Sequence, residues 1–362
     1  MTLALVLMSK QFNGAAAYDF ELEKGTKRPV LPLVSGRMWP TSIAMELARR
    51  GHETTVVVVE TSAYLARRFA AVERMEHSTR EGCKIVYTDD VGAIRDLLAP
   101  ADAIVIRDHH ARYAEIFDRL EIGDRPVVQV MATSLTGDPD FVPPGRRRTL
   151  LVNDESEVTR FARLYDRVEV LRKPAAPEFF EAPPRSPGKS FDVISIIWDL
   201  ALPRKRADLL LQSLPLLDKL ADRRLQVGLV GDASPKFALR VSALNAALDK
   251  TEVSLLGQLS REGVRETLHR SRVSVVPSSI DPNPQVIAES LACNVPVACA
   301  SDLTGGRFQI TPRTGEFFEP DPDDLARTLW NMLCRERDYE AATGAISIEE
   351  AADQMERLLG WA

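Results

Sequence analysis

Two carboxylates, Asp281 and Glu289, stand with seven residues between them in VSVVPSSIDPNPQVIAESLACNVPVACASDLTGG, residues 273–306. Residues 273–276 predict a short buried strand, and 277–283, with Pro, Ser, Asp and Asn, predict a loop. Asn283 is placed to cap a helix, with Pro284 at the first helical position, where its missing N–H is not needed. Ile287 and Leu291, with Ala288 and Ala292, repeat at helical spacing, and Asn294 suits the left-handed residue that ends the helix. A loop entering a helix N-terminus offers unpaired N–H groups and the positive end of the helix dipole, which suits phosphate. Glu289, one to two turns in, can face the same side and accept hydrogen bonds from two sugar hydroxyls. An anion-binding helix end beside a diol-binding carboxylate describes a nucleotide-sugar site. An ordinary strand–helix unit with an exposed Glu accounts for the same residues equally well.

The rest of the chain must place this unit. At 362 residues it predicts two domains sharing one cleft, with a normal apolar content of 45%. Short apolar runs alternate with helical patterns from residue 3 to residue 171 and again from 191 to 333, which predicts parallel, doubly wound sheets. Ligands of such sheets sit beyond the strand C-termini. That placement draws attention to Arg107, Asp108, His109 and His110, just after the strand expected at 103–107. His109 or His110 can contact an acceptor or assist charge transfer, and two solvent-exposed loop histidines fit the same residues. Residues 61–76 predict an amphipathic basic helix with Tyr64, Leu65, Phe69 and Val72 on one face and Arg67, Arg68 and Arg74 beside it. A surface helix packed on its sheet is preferred there over a membrane-touching one, because Glu73 and Glu76 offset the arginines. Arg146, Arg147 and Arg148 form a basic cluster that is either a solvated loop or a contact for an anionic acceptor. Arg204, Lys205 and Arg206 open a predicted helix, where three cations oppose the dipole; that placement favours a function.

Net charge is −6 and the sequence pI is about 5.6, which argues against a general nucleic-acid binder. Cys83, Cys293, Cys299 and Cys334 show no CxxC spacing and read as free thiols in a reducing, cytoplasmic setting. The opening MTLALVLM is too short for a signal h-region and reads as a first strand. No apolar run approaches a membrane span. Walker, GxGxxG and HExxH motifs are absent, and neither a cofactor nor a metal is expected.

The 273–306 stretch resembles the donor motif of the retaining glycosyltransferases of family 4, also called glycosyl transferases group 1, which have the GT-B fold. Their motif pairs two acidic residues at this spacing, followed by a small-residue helix and a Pro-Val strand, as in ESLACNVPVACASD here. After the first acid the chain reads Asp281, Pro282, Asn283, Pro284, Gln285, and Asn294 replaces the family glycine. ELARRGHETTVVVV, residues 46–59, resembles the end of the family's first helix unit, whose preceding loop carries Gly36 here. DLALPRKRADLLLQS, residues 199–213, aligns Lys205 with the family's diphosphate lysine. The family's diphosphate arginine falls near Asp199 and Leu200 and is missing, so either Arg204 or Arg206 supplies the charge from nearby or donor phosphate binding is weakened. VGDAS at 230–234 and TGEFF at 314–318 follow in family order. His52 reads as structural, at a helix C-terminus.

The resemblance implies an α/β GT-B protein, two Rossmann-like β/α/β domains facing a central cleft. Residues 1–172 would form an acceptor-binding domain, with a C-terminal helix at about 340–362 packing back on it, and 173–339 a donor domain. The implied activity is transfer of a sugar from a nucleotide-diphosphate sugar with retention, to a glycan, lipid-linked or small-molecule acceptor, in glycan biosynthesis. In that reading Lys205, Asp281 and His109 are catalytic. Glu289 holds the ribose, and Arg204, Arg206, Gln285, Val286, Gly305, Gly306 and Gly36 bind the donor. No nucleic acid is expected as a partner, and membrane contact is at most weak and peripheral. The alternative is a non-catalytic nucleotide-binding or accessory protein of the same fold, supported by the missing arginine and by Met131, Ala132 and Thr133, where the family often has a histidine.

Overall fold

The computed structural model describes residues 1–8, 18–19, 33–34, 39–59, 75–78, 82–88, 90–131, 137–182, 188–282 and 284–361. Its chain divides into two compact units: Met1–Arg172 with Ile348–Ala362, and Lys173–Ser347.

The first unit begins with β1 (Thr2–Met8), the short pair β2 (Tyr18–Asp19) and β3 (Leu33–Val34), α1 (Trp39–Arg49), β4 (Glu53–Val59), β5 (Met75–Ser78) and β6 (Lys84–Tyr87). Then come α2 (Val91–Leu98), β7 (Ala103–Arg107), α3 (Arg112–Phe117), β8 (Val127–Val130), β9 (Arg148–Val152), α4 (Glu155–Phe161) and β10 (Arg167–Val170). The sheet order is β10-β9-β8-β7-β1-β4-β6-β5, parallel except for β5, which pairs antiparallel with β6. Continuous apolar runs make the inner strands: Val56, Val57, Val58 and Val59 of β4 and Leu3, Leu5, Val6 and Leu7 of β1 are buried, as a sheet covered on both faces requires. The basic helix expected at 61–76 lies outside the described residues up to Arg74. Its last two residues, Met75 and Glu76, instead open the edge strand β5, because the free edge of β6 supplies ladder partners that outweigh weak local propensity. The helix after β7 ends at Phe117, and Arg119 turns left-handed two residues on (φ 64°).

The second unit contains β11 (Phe191–Asp199), α5 (Ala207–Leu220), β12 (Leu225–Asp232), α6 (Pro235–Ala247), β13 (Thr251–Gly257), α7 (Arg261–His269) and β14 (Ser271–Val276). It continues with α8 (Gln285–Ala292), β15 (Val297–Ala300), β16 (Gly315–Phe318) and α9 (Pro322–Cys334). All of its sheet is parallel, in the order β13-β12-β11-β14-β15-β16. In strand succession that is 3-2-1-4-5-6, so winding reverses between β11 and β14. The first unit reverses likewise between β1 and β7. Both reversals open a crevice at strand C-termini, the usual ligand position in such sheets.

The chain then returns to the first unit as α10 (Ile348–Leu359). Gln354 bridges the end of β10 by donating to the Val170 carbonyl (3.0 Å) and accepting from the Arg172 N–H (3.1 Å). Glu356 meets Arg50 at 2.7 Å and His52 Nε2 at 2.8 Å, while the His52 ring stacks on Trp361 with centroids 4.6 Å apart. His52 is therefore part of the clamp on α10. No described helix is long and apolar enough to cross a membrane.

Candidate functional site

Three loops meet at the reversal point of the second unit: those following β11, β14 and β15. After β11, the Asp199 carboxylate accepts the Ala201 N–H (2.8 Å) and the Leu200 N–H donates to the Asp232 carbonyl (3.0 Å). A single 3₁₀ turn, Pro203–Lys205, follows, and Arg206 takes a left-handed conformation (φ 51°) as the residue before α5. The cations expected to crowd one helix start are thereby sent in different directions. Arg206 makes a two-pronged contact with Asp302 in the loop after β15, both bonds 2.7 Å. Lys205 pairs with Asp281 in the loop after β14. Arg204 donates to the Ile280 carbonyl (2.9 Å) and meets no carboxylate among the described residues.

Backbone contacts join the loops further. The Ser279 N–H donates to the Arg204 carbonyl (2.9 Å), the Thr304 N–H to the Ser279 carbonyl (3.1 Å), and the Asp281 N–H to the Thr304 hydroxyl (3.2 Å). Gly305 is required where it stands, since a Cβ there would lie 1.7 Å from the Pro282 carbonyl oxygen. Gly306 is left-handed (φ 75°) and turns the chain into a short 3₁₀ segment. Both glycines therefore shape the loop beside Asp281.

The residue capping α8 is Pro284, one position later than expected; Asn283 lies outside the described residues. Proline has no side-chain acceptor, and no described residue caps the helix start with its side chain. The Gln285 and Val286 N–H groups make no hydrogen bond to any described residue. Ile287, Ala288, Leu291 and Ala292 turn into the core, and the Ser290 hydroxyl bonds that of Ser274 (2.9 Å) on β14. This leaves Gln285 and Glu289, four residues apart, on the partly exposed face. The Gln285 amide reaches the Pro174 carbonyl (3.3 Å). Asn294 is left-handed (φ 55°) past the helix end, as its position suggested.

The Glu289 carboxylate accepts no hydrogen bond from any described residue. Burial pushes its pKa up to about 7; Arg261 and Lys173 pull against that rise and Glu178 adds to it. Arg261 is fixed by Glu178 (3.0 Å) and lies over the Phe179 ring, 5.4 Å from its centroid. A half-buried carboxylate, drawn from water and without protein donors, is suited to accept ligand hydroxyls. Burial and the Glu289 charge push the Cys293 thiol, one turn further on, up to about 12, so it is no nucleophile.

His109 belongs to the first unit, after β7 at that unit's reversal point. Its Nδ1 lies 3.1 Å from the Asp140 backbone nitrogen and 3.2 Å from the Asp140 carboxylate. Whichever of these it bonds, Nε2 remains the nitrogen open to a ligand. Arg148 of the basic cluster pairs with Asp166 (3.1 Å). Gly36, Ala132 and Thr133 lie outside the described residues. Five side chains of the second-unit site escaped the sequence reading: Asp302, Thr304, Arg261, Lys173 and Glu178. Asp302 and Thr304 were visible only as part of the loop SDLTGG, and no local signal ties Arg261 to Glu289. Among the described residues no group of three or more His, Cys, Asp and Glu side chains is arranged to hold a metal ion.

Comparison with known proteins fits this geometry. Residues 193–335, which lie within the second unit, match the family model for glycosyl transferases group 1. The phosphatidylinositol N-acetylglucosaminyltransferase gpi3 subunit of Schizosaccharomyces pombe is 24% identical over 208 residues, 57% of this chain. The chain spans 43% of the length of that curated relative. Sucrose-phosphate synthase from Thermosynechococcus elongatus superposes with a TM-score of 0.66 at 16% identity, over 99% of this chain and 98% of that one. The Anabaena protein HepE in complex with UDP and glucose gives 0.62 at 13% identity over 100% of both chains. A glycosyltransferase from Rickettsia africae gives 0.62 at 15%, over 99% and 97%. At these identities the likeness establishes the fold: two Rossmann-like α/β units of GT-B type.

Proposed function

We propose that this protein is a glycosyltransferase that moves a sugar from a nucleotide-diphosphate donor to an acceptor with retention at the anomeric carbon. The observation that carries the reading is the convergence, at one reversal point, of a helix start, a cation, a Lys–Asp pair and a half-buried carboxylate, where among the described residues the helix start has no side-chain cap, the cation no carboxylate partner and the carboxylate no donors. The Gln285 and Val286 N–H groups and Arg204 and Lys205 hold the diphosphate, Glu289 accepts the ribose hydroxyls, and Asp281 accepts hydroxyls of the sugar. When the bond from the anomeric carbon to the phosphate oxygen breaks, negative charge grows on that phosphate, and fixed cations and N–H groups stabilise it. The acceptor oxygen bonds the anomeric carbon on the same face, and its proton passes to the departing phosphate. The protein then supplies charge and positioning rather than a base, and neither cofactor nor metal enters the scheme. The first unit binds the acceptor, with His109 Nε2 as a contact. The name of the S. pombe relative makes an N-acetylglucosamine donor and a lipid-linked acceptor the first pair to try. The four free thiols suit a reducing compartment such as the cytoplasm.

Thermal shift across UDP, ADP and GDP and their sugars, followed by NMR of the anomeric configuration of any product, tests this. Stabilisation by one nucleotide family and a retained product are expected. Absence of any nucleotide shift sinks the reading. Asp199 and Leu200 stand where the group's diphosphate arginine is expected, and this favours a second reading, a nucleotide-binding accessory protein. Nucleotide binding without turnover on any acceptor decides for it.

A further inference from the structure

The Lys205–Asp281 pair occupies groups that a donor needs, and both side chains are 17% exposed. Asp281 is anchored from behind by its own N–H on Thr304 and by the Ser279 contacts with Arg204 and Thr304. The three cations differ sharply. Arg206 is committed to Asp302, Arg204 meets only a carbonyl among the described residues, and Lys205 is held by the acid placed to read the sugar. An arriving diphosphate sets new negative charge beside Asp281. Lys205 cannot fully neutralise both anions, and two like charges competing for one ammonium disfavour the bare complex. A carboxylate that loses its ammonium needs donors, and sugar hydroxyls are donors.

We propose that Asp281 is a specificity-determining residue that makes this site select the intact sugar donor over the bare nucleoside diphosphate. The inference rests on the donor-site reading above. The diphosphate draws Lys205 off Asp281, and the sugar hydroxyls take the place of the ammonium on the carboxylate. A bare diphosphate takes the lysine and leaves Asp281 without a partner, so the product of transfer is held more weakly than the substrate. Release of the spent nucleotide then follows from loss of the sugar alone.

The test is calorimetric titration of wild type and Asp281→Asn with UDP and UDP-glucose, moving to ADP, GDP and their glucose donors if the uridine pair gives no heat. Wild type should bind the sugar donor more tightly than the diphosphate. Asp281→Asn, whose Lys205 is unpaired, should bind the diphosphate roughly tenfold more tightly and the sugar donor roughly tenfold more weakly, inverting the preference. In a Lys205→Ala background the same substitution should no longer tighten the diphosphate. Asp281→Ser serves as a second variant if the melting temperature of Asp281→Asn shows loss of folding. An unchanged ratio of the two affinities, or equal weakening of both, overturns the inference while leaving the donor site standing. Wild type that binds none of the pairs overturns the donor-site reading and this inference with it.

Discussion

The two units share one winding and therefore two equivalent crevices, but they furnish them differently. At the β11/β14 reversal, cations, carboxylates and an uncapped helix start are knit by backbone bonds across three loops. At the β1/β7 reversal, the residues after β7 are Asp108, in a left-handed turn (φ 60°), and His109, held by Asp140. Topology provides the place for a ligand; charge and unsatisfied donors decide which ligand. On the proposed reading, the second unit takes the donor and the first the acceptor.

Lys205→Ala is expected to sharpen this contrast most. Turnover should fall by roughly 10²–10³ while affinity for the bare nucleoside stays near wild type, because the lost charge acts mainly on the departing diphosphate. Arg204→Ala should follow with a smaller loss. Arg206→Ala should affect stability more than rate, by about 1 kcal/mol, since its guanidinium is already committed to a partly exposed carboxylate. Initial rates of donor hydrolysis or transfer, with melting temperatures alongside, separate the three. Equal rates for all three variants and wild type would place the diphosphate elsewhere.

Glu289→Gln should act in opposite directions on binding and on stability. Loss of a charge-assisted acceptor should weaken nucleotide binding by about 1.5–3 kcal/mol. The folded pKa of about 7 lies above the ordinary 4.5. The carboxyl therefore favours the fold fully below pH 4.5, and that contribution is lost as pH rises through about 7. The variant should thus gain melting temperature over wild type at pH 8 and little at pH 4.5. A gap between the two proteins that does not vary with pH contradicts the raised pKa.

The donor-like stretch was legible because its signals are local. Strand, loop, helix and left-handed Asn294 follow within 273–294, and the structure moves their boundaries by only one or two residues. The pairings of Arg204, Lys205 and Arg206 were not legible. Their partners lie 76 to 96 residues away, and the left-handed turn at Arg206 that separates them has no composition cue. The raised pKa of Glu289 comes from burial, opposed by Arg261 and Lys173 and helped by Glu178, and only the fold buries the carboxylate and brings these charges near. In the first unit, β5 was lost to a helical pattern because an edge partner, not local sequence, made the strand.

His109→Ala carries the smallest expected effect and tests the other side of the comparison. Nucleotide affinity should not change, and KM for the acceptor should rise a few-fold through loss of one hydrogen bond worth about 1 kcal/mol. Weakened nucleotide binding in this variant breaks the division of labour between the units.

Hydrogen exchange of the full chain, with and without a saturating nucleoside diphosphate, tests the central claim most directly. Protection should appear in residues 199–206, 277–289 and 301–306, with residues 107–110 unchanged. Protection at 107–110 with none in the three second-unit loops would contradict the account.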